Sequence, residues 1–181
     1  VCERLARRGY AAVAPDLYHG EVATTPEEAA ALRSRRRAVP MWREIVASLE
    51  HCREASGAPS VGLVGFSMGG HWALWLASQA RPEVPEVAAT VVFSATRACD
   101  FRASRSAFQV HLAETDPFVS GAGVARLRRS LTAAAREAEF WSYPGTGHWF
   151  FDPDTPQSYH PSAARLALRR TEEFLDRHLS P

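Results

Sequence analysis

A parallel β-sheet covered by helices on both faces, the α/β class, is what this sequence predicts, and three observations carry the prediction. Segments 61–66, 87–94 and 107–113 are apolar nearly throughout, which suits strands of a sheet buried on both sides. Stretches of helical periodicity alternate with them. The chain has 181 residues, 46% hydrophobic and 23% charged, enough for one ordinary domain with a real core. No internal repeat or linker interrupts it, so a single domain over 1–181 is expected.

The elements follow in order. Residues 1–9 read as the end of an amphipathic helix stopped by Gly9. Residues 10–17, an apolar run closed by Pro15 and Asp16, read as a first buried strand. Thr25-Pro26-Glu27-Glu28 combines an N-cap, a proline at the first helical position and acids in the first turn, so a helix starts there. Pro40 is expected to break this region, with a second helix over 41–55 and Gly57 beyond its end. Strand 61–66 is followed by Ser67 and a helix over 69–80. Strands 87–94, 107–113 and 139–143 alternate with a helix over 124–136. A long helix over 161–178, with Ala164, Leu168, Phe174 and Leu175 inward, closes the chain.

Charge and cysteine usage exclude several classes. All 21 basic residues are Arg, against 20 acids, for a net charge of +1, which is no nucleic-acid footprint. The one dense basic run, Arg33, Arg35, Arg36 and Arg37, reads as a solvated helix face. Cys2, Cys52 and Cys99 are widely spaced and form no C-x-x-C pair, so neither a metal site nor a disulfide framework is expected. No apolar stretch reaches the roughly 18 residues that span a bilayer. A cytoplasmic protein with no nucleic-acid or membrane partner is the expectation.

Gly65-Phe66-Ser67-Met68-Gly69 matches G-x-S-x-G, between a buried strand and a helix as that pattern requires. The tight turn forces the serine into strained backbone angles, and side chains at either flanking glycine are expected to collide. The Met68 N–H, at the start of the helix, is placed to stabilise an oxyanion. A serine hydroxyl needs a base that is itself oriented by an acid. In this topology the partners follow in the order Ser, Asp or Glu, His, each after a later strand. Asp116 follows the strand 107–113 and His148 follows 139–143. Glu114 competes with Asp116 for the acid role; Asp152 and Asp154 come after the base and break the order. The other histidines fall elsewhere: His51, His71 and His178 in helices, His111 in a strand, His19 after the first strand, His160 at a helix start.

With these blocks in place, the chain resembles the dienelactone hydrolase family of α/β-hydrolases. Residues 5–18 look like that family's entry into its fourth strand, and 61–70 like its nucleophile elbow. Residues 143–150 and 169–175 resemble its histidine loop and last helix. The resemblance implies an α/β-hydrolase fold with the family's first three strands lying before Val1. That missing part would include a loop giving a second oxyanion N–H and an acidic active-site residue. Well-studied members use Cys as nucleophile, whereas this elbow carries Ser67. Members acting on carboxylated lactones hold the substrate carboxylate with arginines, one of them a few residues after the histidine. This chain has Phe151, Asp152 and Pro153 there, and the other arginine would fall near Arg33 to Arg37.

The expected activity is cofactor-free hydrolysis of a small-molecule ester or lactone, with Ser67 as nucleophile, His148 as base, Asp116 as orienting acid and Met68 as oxyanion donor. Trp72, Phe118, Trp149 and Phe150 are candidates for an apolar pocket. Alternatives are an acyltransferase or peroxidase on the same residues, and a non-catalytic fragment or binding module.

Overall fold

The computed structural model describes residues 1–79 and 81–179. The chain divides into two compact units, one made of Val1–Pro59 with Glu83–Pro85, the other of Ser60–Pro82 with Glu86–Pro181.

The first unit is helical. Helix α1 (Cys2–Ala6) is followed by Gly9 at φ 91°, and the Tyr10 N–H turns back to donate to the Leu5 carbonyl at 3.2 Å. The first strand expected over 10–17 is not formed. A strand needs a neighbour for its N–H and C=O groups, and among the described residues none pairs with this segment. Its apolar residues stay accessible, Val13 at 44%. The Asp16 carboxylate instead closes a turn, accepting from the N–H groups of Tyr18 (3.0 Å) and Gly20 (2.6 Å).

Helix α2 (Pro26–Arg35) starts at the predicted cap, where Thr25 Oγ1 accepts from the Glu28 N–H at 3.2 Å. Helix α3 (Ala38–Ser56) begins before Pro40 rather than after it. Proline is tolerated in a first turn because its missing N–H has no intrahelical carbonyl to lose. The break lies at Arg36 and Arg37, both extended, so the basic run straddles a helix end instead of forming one face. Arg35 pairs with Glu21 at 3.0 Å and Arg36 with Glu44 at 3.3 Å. Gly57, at φ 67°, ends α3 in the left-handed conformation.

The second unit holds a four-stranded parallel sheet in the order β1 (Val61–Phe66), β2 (Val87–Phe93), β3 (Ala107–Ala113), β4 (Ala138–Tyr143). Among the described residues, helices α4 (Met68–Ala77), α5 (Gly121–Ala133) and α6 (Pro161–His178) pack on it. Strand periodicity assigns their faces. A Cβ on Gly62 would meet Leu179 and Leu175 at the end of α6, whereas one on Gly65 would meet the backbone of Gly69 and Gly70 in α4. Three positions apart on a strand, these two glycines face opposite ways, so α6 and α4 cover opposite faces. Arg128 of α5 stacks over Phe140 of β4 at 3.9 Å.

Element ends moved by a few residues for local reasons. Helix α5 starts at Gly121, ahead of the expected 124, because Ser120 Oγ caps it by accepting from the Gly123 N–H at 3.1 Å. Strand β2 stops at Phe93 because Ser94 adopts φ 48°. Helix α4 ends at Ala77, and the predicted extension to Ala80 reaches a residue outside those described. On α6 the buried positions are Ala163, Ala164, Ala167, Thr171, Glu172, Phe174 and Leu175, with Leu168 only half-buried.

Beneath α6 lies a polar network centred on His111 of β3, which is fully buried. Its Nδ1 is 2.7 Å from the Tyr143 hydroxyl, and its Nε2 is 2.8 Å from Gln109 Oε1 and 3.2 Å from Thr171 Oγ1. Thr171 donates its own proton to the Ala167 carbonyl at 3.0 Å, so Nε2–H is the donor and Nδ1 accepts from Tyr143. Burial, helped by the nearby Arg170 charge, pushes the His111 pKa down to about 3.

Candidate active site

Parallel strands bring the loops after β1, β3 and β4 to one edge of the sheet, the edge where α/β proteins assemble their sites. Ser67 sits between β1 and α4 with φ 49° and ψ −113°, a conformation costly for any residue with a Cβ. Its N–H donates to the Phe93 carbonyl at 2.9 Å, tying the turn to β2. Gly65 is required by space, since a Cβ there would lie 2.5 to 2.7 Å from backbone atoms of Gly69 and Gly70. Gly69 differs from expectation: a Cβ at that position meets nothing within 4 Å. The close approach is made by the Gly69 backbone, so its missing side chain is not what opens the turn. Met68 is the first residue of α4.

His148 stands in the loop after β4, its side chain only 4% exposed. Nε2 lies 3.0 Å from Ser67 Oγ, and Nδ1 lies 2.9 and 2.8 Å from the two oxygens of Asp116. The Asp116 side chain is 5% exposed and is fixed by its own loop, Oδ1 accepting from the N–H groups of Phe118 at 2.9 Å and Val119 at 3.1 Å. Three residues far apart in the chain thus form one hydrogen-bonded line.

Glu114, the competing acid, does not reach His148. Its carboxylate accepts from the Gly145 N–H at 2.8 Å, and the Thr115 N–H donates to the Thr146 carbonyl at 3.1 Å. Glu114 therefore stitches the aspartate loop to the histidine loop. The remaining histidines are placed elsewhere: His19 beside Glu44 at 3.0 Å, His178 beside Glu137 at 3.3 Å, and His160 as the cap of α6. His71 and His51 lie exposed on α4 and α3, and His111 is buried under α6.

Ser94 is a contributor that sequence reasoning missed. Its hydroxyl donates to the His148 carbonyl at 3.1 Å, and its N–H donates to the His111 carbonyl at 2.9 Å. The end of β2 thus holds the backbones of both Ser67 and His148. Nothing in the sequence marks Ser94, because the bond depends on its positive φ and on a loop far along the chain.

The aromatic candidates divide. Phe150 is fully buried and stacks on Tyr143 at 5.0 Å, and Trp72 packs against Trp75 at 5.4 Å. Phe118 and Trp149 instead contact the His148 ring at 4.8 and 5.0 Å while remaining 66% and 42% exposed. Among the described residues no group of three or more His, Cys, Asp or Glu side chains is placed to hold a metal ion, and no helix is long and apolar enough to cross a membrane.

Residues 1–179 match the model of the dienelactone hydrolase family. The chain belongs to that family. Two relatives it matches are distant in sequence. An Aquifex aeolicus protein named "Putative carboxymethylenebutenolidase" is 26% identical over 186 residues, covering 99% of this chain and 80% of that protein. "Protein usf" of Aquifex pyrophilus is 25% identical over 188 residues, with the same coverage. A dienelactone hydrolase-like promiscuous phosphotriesterase from metagenomic libraries superposes with a TM-score of 0.81 at 19% identity, over 98% of this chain and 78% of its own. These likenesses make the chain a hydrolase-family member with the α/β-hydrolase fold.

Proposed function

We propose that the protein is a serine hydrolase that cleaves carboxylic esters or lactones of small molecules, using Ser67, His148 and Asp116. The observation that carries this reading is the hydrogen-bonded line itself, with Ser67 Oγ 3.0 Å from Nε2 and both Asp116 oxygens within 2.9 Å of Nδ1.

With Nδ1–H donated to Asp116, the Nε2 lone pair takes the Ser67 proton as Oγ adds to the substrate carbonyl carbon. The tetrahedral oxyanion is stabilised by the N–H of Met68, at the positive end of α4. The imidazolium, held against the Asp116 carboxylate, then protonates the alcohol oxygen as its bond to carbon breaks. Water enters, gives a proton to Nε2 and attacks the acyl-serine, and return of that proton to Oγ frees the acid. The strained backbone at Ser67 presents the hydroxyl beyond the end of β1, open to solvent and substrate. The same residues serve a lactone, whose alcohol stays tethered to the acyl group.

Steady-state hydrolysis of a simple ester and a simple lactone by wild type, Ser67→Ala and His148→Ala tests the reading. Each variant is expected to lose about 10³-fold or more in kcat, the scale on which loss of a member of such a triad acts. A Ser67→Ala protein as active as wild type removes Ser67 from the mechanism.

A further inference from the structure

We propose that Phe118 and Trp149 form a leaving-group subsite that selects esters of aromatic or otherwise flat apolar alcohols. This rests on the serine-hydrolase reading above and specifies its substrate class.

In the sheet-bearing unit, these are the only two large hydrophobic side chains among the described residues left exposed, at 66% and 42%. Scattered exposed apolar residues need no explanation, but both of these lie against the same catalytic ring. Phe118 meets the His148 imidazole edge-to-face at 4.8 Å and 66°, and Trp149 meets it at 5.0 Å and 79°. The two rings meet each other at 5.7 Å and 78°. An aromatic corner therefore surrounds the imidazole while keeping open surface of its own.

Chemistry assigns that corner to one part of the substrate. The imidazolium must come within hydrogen-bond distance of the alcohol oxygen in order to protonate it. The group attached to that oxygen consequently lies beside the imidazole, within reach of Phe118 and Trp149, whereas the acyl group extends from the carbonyl carbon on Ser67. Neither ring brings a charge or a hydrogen-bond donor for a carboxylate, apart from the indole N–H of Trp149. Flat apolar alcohols gain both area burial and edge-to-face or stacked contact there.

Benzyl acetate and propyl acetate share an acyl group and have primary-alcohol leaving groups, so the ratio of their kcat/KM values isolates the leaving-group contact. The wild type is expected to favour the benzyl ester by about tenfold or more, and the double variant Phe118→Ala/Trp149→Ala to lose about tenfold of that ratio, as two aromatic contacts of ordinary strength would supply. An unchanged ratio in the variant overturns the proposal. Should the variant not fold, product inhibition of the wild type decides: benzyl alcohol is expected to inhibit about tenfold more strongly than 1-propanol, and equal inhibition refutes the subsite. Adduct formation at Ser67 with a small alkyl phosphonofluoridate, which needs no aromatic contact, reports separately on the underlying hydrolase reading. Labelling without benzyl preference sinks the subsite alone, and absence of labelling sinks the reading on which it rests.

Discussion

Replacing Asp116 by Asn tests the carboxylate through the direction of its hydrogen bonds rather than through packing. Oδ1 accepts from the N–H groups of Phe118 and Val119, at 2.9 and 3.1 Å, and both oxygens stand within 2.9 Å of Nδ1 of His148. An asparagine has the same shape but one acceptor and one donor. The two backbone N–H groups claim its oxygen, which leaves its NH₂ facing Nδ1. The imidazole must then offer the Nδ1 lone pair and carry its proton on Nε2, where it donates to Ser67 Oγ instead of accepting from it. The base is lost with the side chains still in place. Wrong-tautomer substitutions of this kind lower kcat about 10⁴-fold, which is about 5.4 kcal/mol in the barrier. Ester hydrolysis by purified Asp116→Asn, with circular dichroism to confirm the fold, measures it. A variant that keeps more than about a tenth of the wild-type kcat refutes the tautomer argument.

Three further outcomes follow from the geometry. Gly65→Ala drives a Cβ into backbone atoms 2.5 to 2.7 Å away and should cost about 1–3 kcal/mol or more in urea denaturation, whereas Gly69→Ala, with open space at a helical position, should be neutral or stabilising by up to about 1 kcal/mol; equal effects would contradict the elbow packing. Ser94→Ala removes the hydroxyl that holds the His148 carbonyl and should lower kcat about three- to tenfold, the scale of one hydrogen bond, with little change in KM. His111 supplies a pH dependence of stability: its folded pKa, about 3, lies below its ordinary 6.5, so its contribution is complete above pH 6.5 and is lost as pH falls toward 3. Unfolding free energy should drop by up to about 1.4 kcal/mol per pH unit across that window from this group, and His111→Gln should flatten the slope; an identical slope in the variant would exclude His111 as its source.

The sheet was legible because β1, β2 and β3 are mostly apolar and bounded by turn residues. Strand 107–113 and helix 161–178 fall where the sequence places them. The expected strand over 10–17 failed because apolar composition says that a segment could be buried, not that a partner offers it a ladder. Pro40 misled in the other direction, since a proline ends one helix or opens the next with the same residue type, and only the extended backbone at Arg36 and Arg37 shows which. At the candidate site, the sequence order of Ser67, Asp116 and His148 points to residues that the parallel sheet brings within hydrogen-bond reach. Sequence order favours Asp116 but leaves Glu114 a competitor, because both follow the same strand. The turn closed by Phe118 and Val119 aims one carboxylate at His148, while the other holds Gly145. Ser94 was invisible for a related reason: a serine acts across a fold only when its backbone angles let it, and no local pattern announces that.

The proposed hydrolysis rests on Ser67 as a nucleophile activated by His148. Incubation with a fluorophosphonate, followed by intact-mass measurement and peptide mapping, tests it most directly. One adduct per chain is expected, on the peptide carrying Ser67, absent in Ser67→Ala and formed far more slowly in His148→Ala. An unmodified wild-type protein, or an adduct that persists in Ser67→Ala, would contradict it.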